Sequence, residues 1–412
     1  MQRSDTPEQA EFRTEVREWL EAHAEPRKGE GDWSNGPREH TPEAEAAYFE
    51  RCREWQRTRF DGGFACITWP EKYGGRGGTP VQEIIYGQEE AHFDVTAGFL
   101  PASISLVGPA LMRHGSVEQC KRYLRPLMRG EETWCQLFSE PDAGSDLAAV
   151  RTRAERDGDE FVVNGQKLWT TSAQHCDYGI LLARTNAEAP KHAGITFLLV
   201  DMKIPGIEVR PLITMKGDRH FNEVFFTDVR VDVANVCGEI DRGWAVAKTT
   251  LANESMMIGT GTQTQGTTAS LVQYAMDHGR WEDPLVRQRV AEAYVQERLL
   301  GFLRDRLQEA VLEGRMPDVD GSVMKILWSE SRTLRAEVGL DIQGTDGLLA
   351  GDDAFDHAYW QQLVLDRSMG SVGGGTLEVH RNGIGERVLG LAREPRADRD
   401  VAFRDLKTST EG

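Results

Sequence analysis

The stretch WCQLFSEPDAGSDLAAV, residues 134–150, marks the point where the character of the chain changes. Its first residues have the composition of a short strand. They run into Pro141-Asp142-Ala143-Gly144-Ser145-Asp146, a turn rich in small polar donors and exposed backbone N–H groups. Upstream, EFRTEVREWLEAHA, EAEAAYFERCREWQRTRF and VEQCKRYLRPLMRGEE repeat apolar residues at three and four spacings amid charge, which predicts helices, with the turn-rich WPEKYGGRGGTP between them. Downstream, EFVVNGQKLWTT, YGILLART, GITFLLVDM, GIEVRPL and NEVFFTDVRV have strand composition as far as about residue 232. Asn164-Gly165, lying between two extended arms, predicts a hairpin turn. From about residue 241 helical periodicity returns, broken at RMPDVDGS and GTDGLLAGDDA, and REPRADRDVAFRDLKTSTEG at the end reads as a loosely attached tail. The fold class is therefore α+β: a helical domain over 1–133, a β-domain over 134–236, a helical domain over 237–392 and a tail over 393–412.

At 412 residues the chain is too long for one simple core. Its net charge of −18 repels nucleic acid and anionic membranes and favours small-molecule or protein partners. No apolar run approaches the roughly 18 residues of a membrane span, and MQRSDTPEQAEFRTEV is too polar for a signal peptide, so the expected setting is cytoplasmic. The six cysteines form no CxxC pair and read as reduced and buried. The ten histidines show no HExxH spacing, and no GxSxG elbow occurs, so neither a metal site nor a serine nucleophile is indicated. GTGTQTQG, residues 259–266, has the wrong spacing for a dinucleotide fingerprint and follows no strand.

WCQLFSEPDAGSD, NGQKLWTTSA and GGGTLEVHRNGIGERVLGL, in this order and at these separations, resemble the acyl-CoA dehydrogenase family, with supporting matches in ITWPEKYGGRG, FNEVFFTDVRV and GEIDRGW. The resemblance implies a helical N-domain, a middle β-domain and a C-terminal four-helix-bundle domain that together hold FAD and an acyl-CoA thioester. It implies lipid metabolism as the setting, a homo- or heterotetramer as the assembly and an electron-transferring flavoprotein as the acceptor. By motif, Gln136, Leu137, Phe138 and Ser139 would line the flavin, Ser145 would face cofactor and pantetheine, Trp169 would pack on the ring, and Thr170 and Thr171 would lie beside it, Thr171 near N5. Gly344, Gly347, Thr376 and Glu378 resemble positions that reach FAD from a neighbouring subunit. An Arg usually joins them, and in HGRWEDPLVRQR the competing candidates for this cofactor contact are Arg280, Arg287 and Arg289.

In many members the segment matching Gly373-Gly374-Gly375-Thr376 reads Tyr-Glu-Gly-Thr, the Glu being the base that removes the α-proton. Here that carboxylate is missing, but the Gly374 N–H would still hold the thioester oxygen. In RGWAVAKTTLANESMMIGTG, Glu254 shares a helical stripe with Trp244, Ala247, Leu251 and Ile258, a setting that raises a carboxyl pKa unless the group is paired and suits a general base; the alternative is a Glu at the stripe's edge, salt-bridged to a neighbouring helix. Isovaleryl- and long-chain-type members carry their base at the matching position. Asn253, Ser255 and Gly375 would join Ser145 around the substrate, although those members place Arg where Ser255 stands. The expected reaction is α,β-dehydrogenation of an acyl-CoA. The alternatives are a flavin oxidase or monooxygenase on the same fold, and a non-catalytic subunit that completes a partner's FAD site.

Overall fold

The computed structural model describes residues 5–27, 41–260, 267–313, 321–395, 398 and 400–406, without the side chains of 255–260, 311, 312, 352, 356 and 357. Residues 261–266 of the GTGTQTQG stretch and the side chains of Ser255 and Ile258 thus lie outside the described residues. Twelve helices are present among them: α1 Pro7–His23, α2 Pro42–Asp61, α3 Pro80–Glu90, α4 Leu100–His114, α5 Val117–Met128, α6 Gly243–Thr260, α7 Thr268–Asp277, α8 Pro284–Leu312, α9 Gly321–Gln343, α10 Tyr359–Leu365, α11 Arg367–Val372 and α12 Leu377–Gly383. Seven strands lie between the fifth and sixth helices: β1 Trp134–Leu137, β2 Arg153–Asp157, β3 Glu160–Thr171, β4 Tyr178–Arg184, β5 Ile195–Asp201, β6 Ile207–Leu212 and β7 Phe221–Asp232. This is the expected order of helices, sheet and helices.

Local chemistry sets the helix starts. Thr-Pro opens α1, α2 and α3: the Thr hydroxyl accepts an orphan N–H of the first turn, and Pro stands where no N–H is needed. Thr6 with Gln9, Thr79 with Gln82 and Ser116 with Gln119 complete reciprocal capping boxes.

The chain forms two compact units. The sheet unit comprises Glu39–Gly75, Ala97–Glu254 and Arg393–Gly412; the helical unit comprises Met1–Arg38, Arg76–Thr96 and Ser255–Ala392. In the sheet unit the strand order is β1-β4-β2-β3-β7-β6, with β5 on β4. Along β4 and β5 nearly every residue is buried because both faces of the sheet are covered. Ile180, Leu182, Phe197 and Leu199 join a core with α4, α5 and α6, whereas Leu181, Ala183, Leu198 and Val200 face a second core built from β1, β3 and β7. Gly243 begins α6 where any Cβ would lie 2.4 Å from the Phe197 nitrogen, so glycine alone lets this helix start against β5. In the helical unit, Leu271, Tyr274, Val290, Leu334, Val338 and Trp360 form a third core across α7 to α10.

Asn164-Gly165 does not make a hairpin turn. It lies inside β3, where the register with β7 shifts between Val163 and Gly165. Asn164 Oδ1 accepts the Asp228 N–H at 3.0 Å across this bulge, and a Cβ on Gly165 would come within 2.5 Å of Thr152 Oγ1. The β2–β3 hairpin turns instead at Gly158-Asp159, between paired Asp157 and Glu160, with Gly158 at φ 62°. The end of the chain is not a loose tail over its described residues. Phe403 is buried under the Arg184 guanidinium, 3.7 Å from its ring centroid, and Phe403 and Arg404 donate their N–H groups to the Ala189 and Ala187 carbonyls. Five of the cysteines are buried; Cys66 is only half-buried.

Candidate active site

In the sheet unit, β1 is an edge strand paired only with β4. Trp134 gives its N–H to Ser103 Oγ at 3.0 Å, away from β4, and strand alternation turns the main-chain groups of Gln136 the same way. Leu137 and Phe138 are core residues, so they can offer a ligand only their backbone. Ser139 is half-buried, and its carbonyl accepts the Leu168 N–H at 2.9 Å, which draws the end of β1 beside Trp169, Thr170 and Thr171. Thr170 is buried and Thr171 half-buried. Ser145 is exposed in the turn beyond.

Trp169 is no core tryptophan. The residue is 59% exposed, an aromatic neighbour among the described residues is Phe221 at 5.7 Å, and its backbone takes the left-handed region at φ 60°. A bulky residue there costs of order 1–3 kcal/mol, a strain that structures keep mainly where function needs it. The register shift between Lys167 and Thr170 forces the indole out of the pleat. An exposed flat ring beside outward main-chain groups and a threonine hydroxyl fits a planar heteroaromatic ligand such as a flavin.

Sequence reasoning passed over the groups beneath this surface. Lys167, fully buried on β3, donates to the Phe138 carbonyl at 3.0 Å and to Glu140 Oε1 at 2.7 Å. Glu140 also accepts the N–H groups of Arg151 and Thr152 at 2.6 and 2.9 Å. Burial pushes the Glu140 carboxyl upward, but the Lys167 ammonium and those donors outweigh it and hold it below the usual carboxylate range. Burial pulls Lys167 below its usual range against the Glu140 charge. Arg184, held down to about 10 by burial, donates to Ala148 and Lys191 carbonyls, and Lys191 bridges Asp146 at 2.9 Å and Asp398 at 3.0 Å. Both ends of the turn that carries Ser145 are thereby fixed. The only signal in sequence was a Glu inside SEPDAGSD and a Lys before LWTT.

On α6, Val246, Ala247 and Thr250 are buried, Trp244 and Leu251 pack on the core, and Thr250 Oγ1 donates to the Leu106 carbonyl of α4 at 3.3 Å. Glu254, four residues after Thr250 and three after Leu251, lies on this packed face and is half-buried. Asn253 spends its amide on the Thr249 carbonyl at 2.8 Å.

In the helical unit the three glycines follow α11. Gly374 and Gly375 take φ 67° and 92°, values that exclude most side chains, and a Cβ on Gly375 would meet His380 Nε2 at 3.2 Å. The Gly373 carbonyl accepts from Lys325 Nζ at 2.7 Å, and His380 Nε2 lies 3.0 Å from the Gly374 oxygen. Thr376 caps α12, and its hydroxyl accepts the Val379 N–H at 3.3 Å. Glu378 is exposed in the first turn. The helix of TLEVHRNGIGERVLGL is short, passing into a π-helical turn over Ile384–Val388. The other elements expected at the cofactor also meet: Arg280 Nη1 stands 3.2 Å from the position of a Cβ on Gly344, while Gly347 lies in the same 3-10 turn, Gly344–Leu348. Arg287 donates to the Trp281 carbonyl, and Arg289 pairs with Glu337 and Asp341. Among the described residues no group of three His, Cys, Asp or Glu could hold a metal, and no helix is long and apolar enough to cross a membrane.

Comparison with known proteins gives the same layout. The chain matches the acyl-CoA dehydrogenase N-terminal domain over residues 6–131, the middle domain over 135–229 and the C-terminal domain over 241–389. Acyl-CoA dehydrogenase IpdE1 of Mycobacterium tuberculosis is 37% identical over 389 residues, 93% of this chain and 98% of its own length. The structure of the Tcur3481-Tcur3483 steroid ACAD is similar at a TM-score of 0.78 and 29% identity, covering 96% of this chain and all of that one. The ChsE4-ChsE5 complex from Mycobacterium tuberculosis is similar at a TM-score of 0.74 and 29% identity, with the same coverage. The chain belongs to the acyl-CoA dehydrogenase family. It is an oxidoreductase of that family, whose members bind FAD and serve lipid metabolism.

Proposed function

We propose that this protein is an FAD-dependent dehydrogenase that converts an acyl-CoA thioester to the 2-enoyl-CoA and passes electrons to an electron-transferring flavoprotein. The observation that carries the proposal is Trp169, an exposed indole held in a strained backbone beside Ser139 and Thr171. FAD, when bound, supplies the hydride acceptor. Gln136 to Ser139, with the buried Thr170 behind them, would hold it, Trp169 would cover it, Thr171 would bond to it, and Ser145 would reach toward cofactor and pantetheine. Arg280, Gly344, Gly347, Thr376 and Glu378 serve the FAD of a neighbouring subunit. The packing of Arg280 against Gly344 favours it over Arg287 and Arg289.

Glu254 takes the α-proton. Fixed on a helix face packed into the core, it is a positioned base, and such bases contribute typically 10² to 10⁴ in rate. The Gly374 N–H holds the thioester oxygen as negative charge develops there, and Asn253, Ser255 and Gly375 complete the substrate surroundings. Electrostatic donors of this kind are worth roughly 10² to 10³ in rate.

The steroid ACAD neighbour makes bulky, ring-bearing acyl-CoA thioesters the first substrates to try. Two neighbours are complexes of two different chains, which favours a mixed tetramer here. It also gives weight to a second reading, a subunit that completes a partner's FAD site. A cytoplasmic setting belongs to the same proposal. The test is an acyl-CoA panel with a ferrocenium-type acceptor, run on the chain alone and coexpressed with a homologous chain. Enoyl-CoA formation abolished by Glu254→Gln in this chain supports catalysis here. Activity of the mixed complex that is indifferent to Glu254 leaves the subunit reading, and turnover only with oxygen as acceptor leaves an oxidase.

A further inference from the structure

Lys325 lies in the second turn of α9, buried to 4% exposure, with its Nζ 5.1 Å from the Trp328 ring centroid. A buried ammonium is costly unless something needs it. Its Nζ donates to the Gly373 carbonyl oxygen at 2.7 Å, a short, charge-assisted bond. That oxygen and the Gly374 N–H are the two ends of one peptide group. Peptide resonance links them: positive charge at the oxygen draws electron density from the nitrogen and makes the N–H a stronger donor. The next peptide is held in the same manner, with His380 Nε2 at 3.0 Å from the Gly374 oxygen.

We infer that Lys325 is a positioning residue for the oxyanion donor: its ammonium, bonded to the Gly373 carbonyl, fixes and polarises the peptide whose N–H, at Gly374, receives the developing charge on the thioester oxygen. The inference rests on the reading above that Gly374 meets that oxygen. In this role Lys325 acts through the Gly373–Gly374 peptide and not on the substrate itself. With φ values of 67° and 92° and no side chains, Gly374 and Gly375 have nothing of their own to hold the turn, so its orientation comes from α9 and α12. The plainer role is a C-cap, since Gly373 ends α11 and lysines commonly satisfy terminal carbonyls. If capping is all that this bond does for the protein, its loss lowers stability and leaves the bound thioester carbonyl as it was.

The experiment is difference infrared spectroscopy of the FAD-loaded holoprotein with a non-oxidisable acyl-CoA analogue carrying ¹³C at the thioester carbonyl. In wild type the carbonyl band moves to lower frequency than in buffer. In Lys325→Met, which keeps the stem volume and removes the ammonium, the band returns at least half-way to its position in buffer. Turnover falls at least about tenfold, part of the 10² to 10³ that an oxyanion donor supplies. A Met variant with the wild-type band and only a lower Tm overturns the inference and leaves the cap. If that variant does not fold, Lys325→Gln, which keeps a neutral donor, is read in the same way: an intermediate band supports the inference and an unmoved one overturns it. An unshifted band in wild type is a failure of the Gly374 reading itself, and the inference falls with it.

Discussion

Lys167 and Lys325 are both buried and both donate to a main-chain carbonyl, Phe138 at 3.0 Å in the sheet unit and Gly373 at 2.7 Å in the helical unit. Around Lys167 the adjoining surface presents side chains, Trp169, Thr171 and the exposed Ser145, and a carboxylate at 2.7 Å shares the ammonium. Around Lys325 the surface is bare backbone over three glycines. The difference is instructive. A surface that works through side chains can be fixed from beneath by an ion pair between a strand, β3, and the turn that follows β1. One that works through backbone amides has no side chains to fix it and is held by residues on other helices.

The largest effect expected on the side-chain half comes from Glu254→Gln. Turnover should fall about 10² to 10⁴-fold with FAD retained. Mixing with a good acyl-CoA substrate should perturb the flavin spectrum without bleaching it, because hydride cannot leave the β-carbon until the α-proton is being removed. Stopped-flow bleaching near the wild-type rate would move the base elsewhere. A melting temperature lowered with turnover within a few-fold would make Glu254 a helix-pairing residue.

Next in size, Glu140→Gln breaks the buried pair while leaving the Lys167 ammonium inside, which should cost about 3–5 kcal/mol in urea unfolding. The pH dependence follows from the depressed carboxyl. The folded pKa lies below the unfolded value of about 4.3, so the Glu140 contribution is fully present above that pH and is lost as pH falls through the folded value. The gap between wild type and variant should therefore be flat near neutrality and close in acid. A gap independent of pH would mean the pair acts by packing rather than charge.

The smallest effect sharpens the comparison most. Trp169→Gly relieves a left-handed backbone worth about 1–3 kcal/mol, so the flavin-free protein should melt no lower than wild type, while the holoprotein loses FAD on gel filtration. A clear drop in flavin-free melting temperature would return the indole to the fold and remove the chief support for the flavin surface.

Much of the architecture was readable residue by residue. Three-four spacing and the apolar runs YGILLART and GITFLLVDM locate helices and strands because each depends on neighbours a few residues away. The exceptions have physical causes. RAERD contains little that resembles a strand, and β2 exists through its pairing with β3, with only Ala154 buried. Asn164-Gly165 has the residues of a turn, but the close approach of Thr152 uses the glycine and Asp228 uses the asparagine. The polar terminal stretch docks through one phenylalanine under Arg184.

By itself the sequence determined the family pattern, the glycines in place of a carboxylate, the candidate base on α6 and the indole before Thr170, all carried by residue type at short spacing. Only the tertiary structure showed that Glu140 meets Lys167, that Lys191 ties Asp146 to Asp398, that Arg280 approaches Gly344 and that Lys325 reaches Gly373. A buried charge bonds to whatever packing brings within about 3 Å, and for residues far apart along the chain that partner is chosen by the folded core and not by local spacing.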